Sequence, residues 1–283
     1  MAANFVQSGF LRGVLLGSYR VYAQLQFWRS GPRIFVNSLP KAGTHLVTDQ
    51  LGRFPDAHNS RLHILTRDVN RLTDRKTHSL DFEANVPEFV KRVRTVRPGQ
   101  FFSAHLPFDP ALGAAMRDEG LRSIFVARDP RDILVSQFHY VVGLKRHHLH
   151  PRIMALPDDL ARYEALAFGL DGSPPVLSLR QRLDVFHGWL NTPGVLVVRF
   201  EDLVGARGGG DEATKARTLT AIAEHCGLST EGIAARAATA AGPTATLRKG
   251  KANAWRGEIP DAVVDRLHAE CGDLIRAYGY AVD

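Results

Sequence analysis

The sequence predicts an α/β fold in which three layers, α/β/α, enclose a central parallel sheet. Three observations carry that expectation. Short apolar runs rich in β-branched or aromatic residues recur at 33–37, 101–104, 122–127 and 195–199, and helix-like segments separate each from the next. The first of these runs passes through a lysine–alanine–glycine–threonine turn, Lys41 to Thr44, directly into a helical pattern. The composition, 45% hydrophobic and 23% charged over 283 residues, supplies interior enough for one large core. One domain spanning 1–283 follows.

Along the chain, the segment 5–28 is apolar and aromatic but interrupted by Arg12, Arg20, Gln24 and Gln26. It lacks the unbroken length of a membrane span and ends in no small-residue cleavage site. Over 1–30 the pattern favours an amphipathic helical segment that covers the core rather than a membrane-surface anchor. Helices are expected at 44–53, 110–119, 130–142, 178–190, 213–226, 230–241 and 260–278. Pro130 and Pro260 suit first-turn positions, where a missing N–H costs nothing. Two polar, histidine-bearing stretches, 57–85 and 143–157, are long enough to be variable functional loops. Within the second, the basic run 145–152 reads as a solvated, partly disordered lid rather than a metal site. Consecutive glycines at 208–210 mark a flexible surface turn.

The turn after the first strand has the chemistry of a phosphate-binding loop. N–H groups at a helix start point at an anion, Gly43 permits close approach, and Lys41 adds a full positive charge. It is not the nucleoside-triphosphatase loop G-x-x-x-x-G-K-[ST], because the lysine precedes the glycine and no glycine stands near position 37. A second strand end carries Arg128, followed by Pro130 at a helix start and by Ser136, a guanidinium fork and a hydroxyl suited to phosphate oxygens. A third basic element, Arg248, Lys249 and Lys251 around Gly250, lies in a loop near the C-terminus. Two anion sites and a basic lid imply a ligand with two anionic ends. The formal charge of +7 agrees with anionic ligands without requiring nucleic acid. Cys226 and Cys271 are too far apart, and lack the C-x-x-C spacing, for a disulfide framework or a zinc site, which points to a reducing compartment.

Taken in order, these motifs resemble those of the sulfotransferases that use 3′-phosphoadenylyl sulfate (PAPS). Lys41, Ala42, Gly43 and Thr44 match the family's loop for the 5′-phosphosulfate, and Arg128 with Ser136 matches its 3′-phosphate site. Arg248, Lys249 and Gly250 followed by Trp255 match its R-K-G-x-x-x-x-W signature. Ser103 to Pro107 is similar to the K-x-H-L-P segment whose histidine, here His105, is the catalytic base, and Phe200 to Leu203 is similar to a Y-E-D-L segment. The resemblance runs from about Ile34 to Tyr280 and implies a P-loop nucleotide-kinase-like sheet. It also implies PAPS as donor cosubstrate, no metal, and a small-molecule or glycan acceptor.

The implied roles are specific. Lys41 and His105 would be catalytic, and Lys41, Ala42, Gly43, Thr44, His45, Arg128, Ser136, Phe200, Arg248, Lys249 and Gly250 would contact the nucleotide. Departures are also specific: Leu46 replaces the aromatic residue that stacks on adenine, Phe200 replaces a tyrosine, Ala42 and His45 replace hydroxyl residues, and Asn253 with Ala254 replaces Gly-Asp before Trp255. His45 is the rival to His105, and as such lines the pocket or caps the helix. Trp28, Trp189 and Trp255 read as packing residues, with Trp255 anchoring the basic loop. Two rivals remain: a P-loop kinase, which needs a Gly-Lys-[Ser/Thr] loop and a magnesium-binding acid, and a non-catalytic binder of anionic glycans or nucleotides on the same fold. Lack of export signals and the donor's usual compartment suggest the cytoplasm.

Overall fold

Five strands, all parallel, form one sheet in the order β2-β3-β1-β4-β5, with β1 at Arg33–Ser38, β2 at His58–Ile64, β3 at Gln100–Ala104, β4 at Leu121–Ala127 and β5 at Val195–Arg199. The computed structural model describes Ser18 and residues 31–72, 81–238 and 251–282. The amphipathic segment expected over 1–30 falls, but for Ser18, outside the described residues, as do Arg248, Lys249 and Gly250.

Side chains alternate across the sheet and so build two interiors. On one face Phe35, Phe102 and Phe125 pack with Phe89, the Phe35 and Phe102 rings stacking at 4.9 Å. This face is covered by α2 (Val86–Val93), α3 (Pro110–Asp118), α4 (Pro130–Gly143), α6 (Asp159–Phe168), α7 (Leu179–His187) and α11 (Asp261–Ala277). On the other face Ile34, Val36, Phe101, Ile124 and Val126 meet α1 (Thr44–Leu51), α8 (Glu212–Cys226) and α9 (Ile233–Ala238). Short helices α5 (His150–Met154) and α10 (Trp255–Glu258) complete the set among the described residues. The three-layer α/β/α expectation holds.

Helix starts are written in the sequence. Asp109 and Asp129 each accept a backbone N–H two residues on while Pro110 and Pro130 occupy the first turn of α3 and α4. Pro260 stands one position earlier than expected, as the residue before α11 begins. No described helix is long and apolar enough to cross a membrane.

Three expectations need correction. The stretch 57–85 is not simply a loop, because it contributes the edge strand β2 and a short helical turn at Thr66–Asp68. Its sequence, HNSRLHI, is polar because an edge strand faces water, and a register shift between Asn59 and His63, with Arg61 at φ 65°, interrupts its pairing. Nor is 145–152 an open lid: it enters α5, Leu149 and Ile153 are buried, and His150 Nδ1 donates to Val141 O at 2.8 Å. The glycine turn is likewise tied down, since Gly208 is buried and its carbonyl accepts from Ala252 N at 2.8 Å.

Phe125 is wholly buried in β4, the strand that leads into Arg128. Phe125→Ala should lower unfolding free energy by about 3–5 kcal/mol, read as a lower urea midpoint with an unchanged slope.

Candidate active site

The C-terminal ends of β1, β3 and β4 lie side by side, and each delivers one chemical group, as open parallel sheets do. From β1 comes the loop 39–43. Its Lys41 adopts a left-handed conformation (φ 76°) and Gly43 follows at φ 113°. A β-carbon on Gly43 would stand 2.5 Å from the Phe200 ring, so the close approach of loop to ring requires glycine there. Helix α1 starts at Gly43 without a side-chain cap, and the N–H groups of Gly43, Thr44 and His45 have no acceptor in the described chain. Uncapped N–H groups beside a lysine are a receptor for an anion. Ala42 does not share in this: it is buried and its N–H bonds Leu39 O at 3.0 Å. The Thr44 hydroxyl is also engaged, with Ser38 Oγ, so Thr44 offers its backbone N–H rather than its side chain.

Lys41 Nζ lies 3.8 Å from the centroid of the Tyr140 ring on α4. Burial, with the Arg128 charge in addition, lowers its pKa to about 8. The lysine is thus poised to gain from a negative partner.

From β3 comes His105, and a set of buried hydrogen bonds fixes it. Asn37 donates through Nδ2 to Leu106 O and accepts from Leu106 N, both at 2.9 Å, joining the end of β1 to the end of β3. Trp189 Nε1 donates to Leu106 O at 2.8 Å and Thr66 Oγ1 to His105 O at 2.7 Å. The imidazole Nδ1 lies 2.9 Å from Ser38 O. A carbonyl only accepts, so Nδ1 carries the proton and, in the neutral ring, Nε2 keeps its lone pair. Burial, followed by the influence of His63, His45 and Lys41, lowers the His105 pKa to about 4 against the opposing Ser38 hydrogen bond. At neutral pH the ring is a neutral acceptor. His63, on β2, packs edge-on at 5.1 Å between ring centroids, and its Nδ1 pairs with Ser103 Oγ at 2.9 Å. His45 is exposed at the second position of α1 and does not cap it, since the capping position belongs to Gly43.

From β4 comes Arg128, only 8% exposed. Its Nη1 donates to Lys41 O at 3.1 Å, its Nη2 to Lys251 O at 3.3 Å, and its Cζ sits 4.1 Å over the Phe200 ring. Its Nε is buried with no partner among the described residues. A buried guanidinium with an unpaired N–H can take a further anionic partner. Phe200, 1% exposed between Gly43 and Arg128, is their support, and its burial leaves no open ring face for the nucleotide contact expected of it. Leu46 is buried too, so it offers adenine no surface. Ser136 is half-buried on α4, two turns beyond Arg128.

Several residues here escaped the sequence reading. Asp132, fully buried on α4, accepts from Asn253 N at 2.8 Å and Trp255 N at 3.0 Å, which pins the segment that follows the basic run. Burial raises its pKa to about 6 against the pull of Arg128. Trp255 is buried as expected, with Arg131 Cζ 3.9 Å over its ring. Asn37, Ser38 and Thr66 also belong to this group. Among the described residues no group of three histidine, cysteine or acidic side chains could hold a metal ion.

Asn37→Ala would leave the buried N–H and C=O of Leu106 short of a partner. A loss of about 1–3 kcal/mol in stability is expected, measured by chemical denaturation, together with a displaced His105.

Comparison with known proteins fits this geometry. The sulfotransferase domain pattern matches residues 31–205. Among solved structures, mouse sulfotransferase SULT7A1 complexed with PAP has a TM-score of 0.53 at 17% identity, covering 92% of this chain and 93% of that one. Retinol dehydratase in a complex with retinol and PAP has a TM-score of 0.50 at 17% identity, covering 88% of this chain and 82% of that one. At such identities the likeness concerns the fold. No curated protein matches the chain.

Proposed function

Because the chain belongs to the sulfotransferase domain family, and so is a PAPS-dependent sulfotransferase, we propose that it transfers the sulfuryl group with His105 as general base and Lys41 as the charge that meets the leaving nucleotide. The observation that carries this assignment is the neutral His105 ring, proton on Nδ1 and lone pair on Nε2, beside an uncapped helix start and a lysine.

The N–H groups of Gly43, Thr44 and His45 hold the 5′-phosphate, where the dipole of α1 also favours negative charge. Arg128 holds the 3′-phosphate through N–H groups not spent on Lys41 O and Lys251 O, and Ser136 adds a hydroxyl. Arg248, Lys249 and Gly250 lie outside the described residues and in the sequence immediately precede Lys251, whose carbonyl Arg128 binds. PAPS supplies the activated sulfuryl group. The acceptor hydroxyl or amine attacks sulfur in line, its proton passes to His105 Nε2, and the bond from sulfur to the bridging oxygen breaks, leaving adenosine 3′,5′-bisphosphate (PAP). Lys41 offsets the charge that grows on that oxygen. Positioning and charge complementarity carry the rate, as in phosphoryl transfer.

The acceptor approaches past His63, His45 and the Tyr140 ring, flanked by the described parts of the stretches 57–85 and 143–157. Polar imidazole edges and one exposed phenol suit a small-molecule or glycan acceptor that presents hydroxyl groups. The proposed setting is the cytoplasm, where PAPS is at hand. A kinase reading is not favoured, since the loop lacks the Gly-Lys-[Ser/Thr] order.

Two measurements test this reading. His105→Ala should cost at least about 100-fold in turnover while PAP binding by calorimetry persists; equal turnover would remove His105 from the chemistry. The base works only when neutral, so kcat falls as pH drops through its pKa. Free protein should show His105 titrating near pH 4 by NMR. The bound donor offsets the Lys41 charge, so the acid limb of kcat should lie above that value; a limb below it contradicts the assignment.

A further inference from the structure

The turn that carries Arg128 is held from behind by the segment that follows α11. That helix ends in a Schellman motif: Gly279, at φ 89°, donates to Arg276 O at 2.9 Å, and Tyr280 N donates to Ile275 O at 3.1 Å. The motif fixes the Tyr280 backbone and sends its side chain inward, where only 7% stays exposed and Arg199 Cζ lies 4.4 Å over the ring. The phenol donates to Glu201 Oε2 at 2.6 Å. The other carboxylate oxygen, Oε1, accepts the backbone N–H of Asp129 at 3.1 Å, one residue after Arg128. Ala281 O accepts from Arg131 Nη2 at 2.9 Å, while the same guanidinium forks onto the Asp129 carboxylate at 2.9 and 2.8 Å. Residues 280 and 281 therefore grip both ends of the turn 128–131.

Neither Tyr280 nor Glu201 has other work in the proposed chemistry. Yet the Glu201 carboxylate faces the buried guanidinium and helps keep it charged. A single carboxylate thus joins a phenol from the end of the last helix to the start of α4.

We propose that Tyr280 and Glu201 are positioning residues for the donor: the phenol orients the carboxylate, the carboxylate orients the Asp129 N–H, and Arg128 is thereby aimed at the 3′-phosphate. The inference rests on the donor-site reading above. It predicts that loss of one phenolic oxygen, remote from the reacting atoms, weakens donor affinity and leaves the chemical step alone.

The experiment is a double-mutant cycle on the full chain with Tyr280→Phe, Glu201→Ala and both, reading PAP affinity by calorimetry and steady-state kinetics with PAPS varied. Tyr280→Phe should weaken PAP binding and raise KM for PAPS by roughly tenfold, with kcat at saturating PAPS within about twofold of wild type. In the Glu201→Ala background the same change should add nothing, because its route is gone. If Glu201→Ala does not fold, Glu201→Gln replaces it, and the split between KM and kcat in Tyr280→Phe decides by itself. Unchanged PAP affinity in Tyr280→Phe, a fall in kcat without a rise in KM, or equal effects in both backgrounds would each overturn the relay. Wild-type protein that takes no PAP would sink the donor site itself, and the relay with it.

Discussion

A positive charge kept out of water organises this molecule. Arg128 is nearly inaccessible, and a cation in that position must be compensated by groups brought from elsewhere in the chain. Those groups are the Lys41 carbonyl from the β1 loop, the Lys251 carbonyl from 123 positions on, the face of Phe200, and the carboxylates of Asp132 and Glu201. Each is polar or polarisable, and none forms a close ion pair with the guanidinium among the described residues. The charge is stabilised enough to be buried and left unsaturated enough to bind. Burial lowers the pKa of Arg128, although the surrounding acids resist it.

The same economy of partners governs His105. Its ring is locked by one carbonyl, and its backbone by Thr66 and, through Leu106, by Asn37 and Trp189. For a ring proposed as the base, such fixing removes the rotamer freedom that would otherwise be lost when the acceptor arrives. Burial is the main reason the imidazole stays unprotonated, and the neighbouring Lys41 charge acts in the same direction.

How much of this was legible in the sequence follows from where the physics is local. The inner strands β1, β3 and β4 announce themselves because burial demands continuous apolar runs, edge strand β5 is read by its β-branched run, and Lys41, His105 and Arg128 are legible as neighbours because each follows such a run. Strand β2 escapes because an edge position lets it be polar. Helix α2 escaped although Val86, Phe89, Val90 and Val93 have helical spacing and Asn85 caps it, since a polar stretch around it concealed the signal. Asn37, Asp132 and the Tyr280–Glu201 pair were beyond reach for a different reason: their partners lie 69, 123 and 79 positions away, and such bonds leave no periodic trace. Phe200 shows the converse. Its place in a motif suggests a ligand contact, whereas packing against Gly43 gives it a scaffolding part.

The irregular edge strand has an evolutionary corollary. Because β2 places only its last residue, Ile64, fully in the interior, most substitutions along it cost little folding free energy. Its broken pairing also discourages strand addition by another molecule. On the proposed reading, in which the acceptor approaches past His63, this edge can therefore change its surface at small cost to the fold.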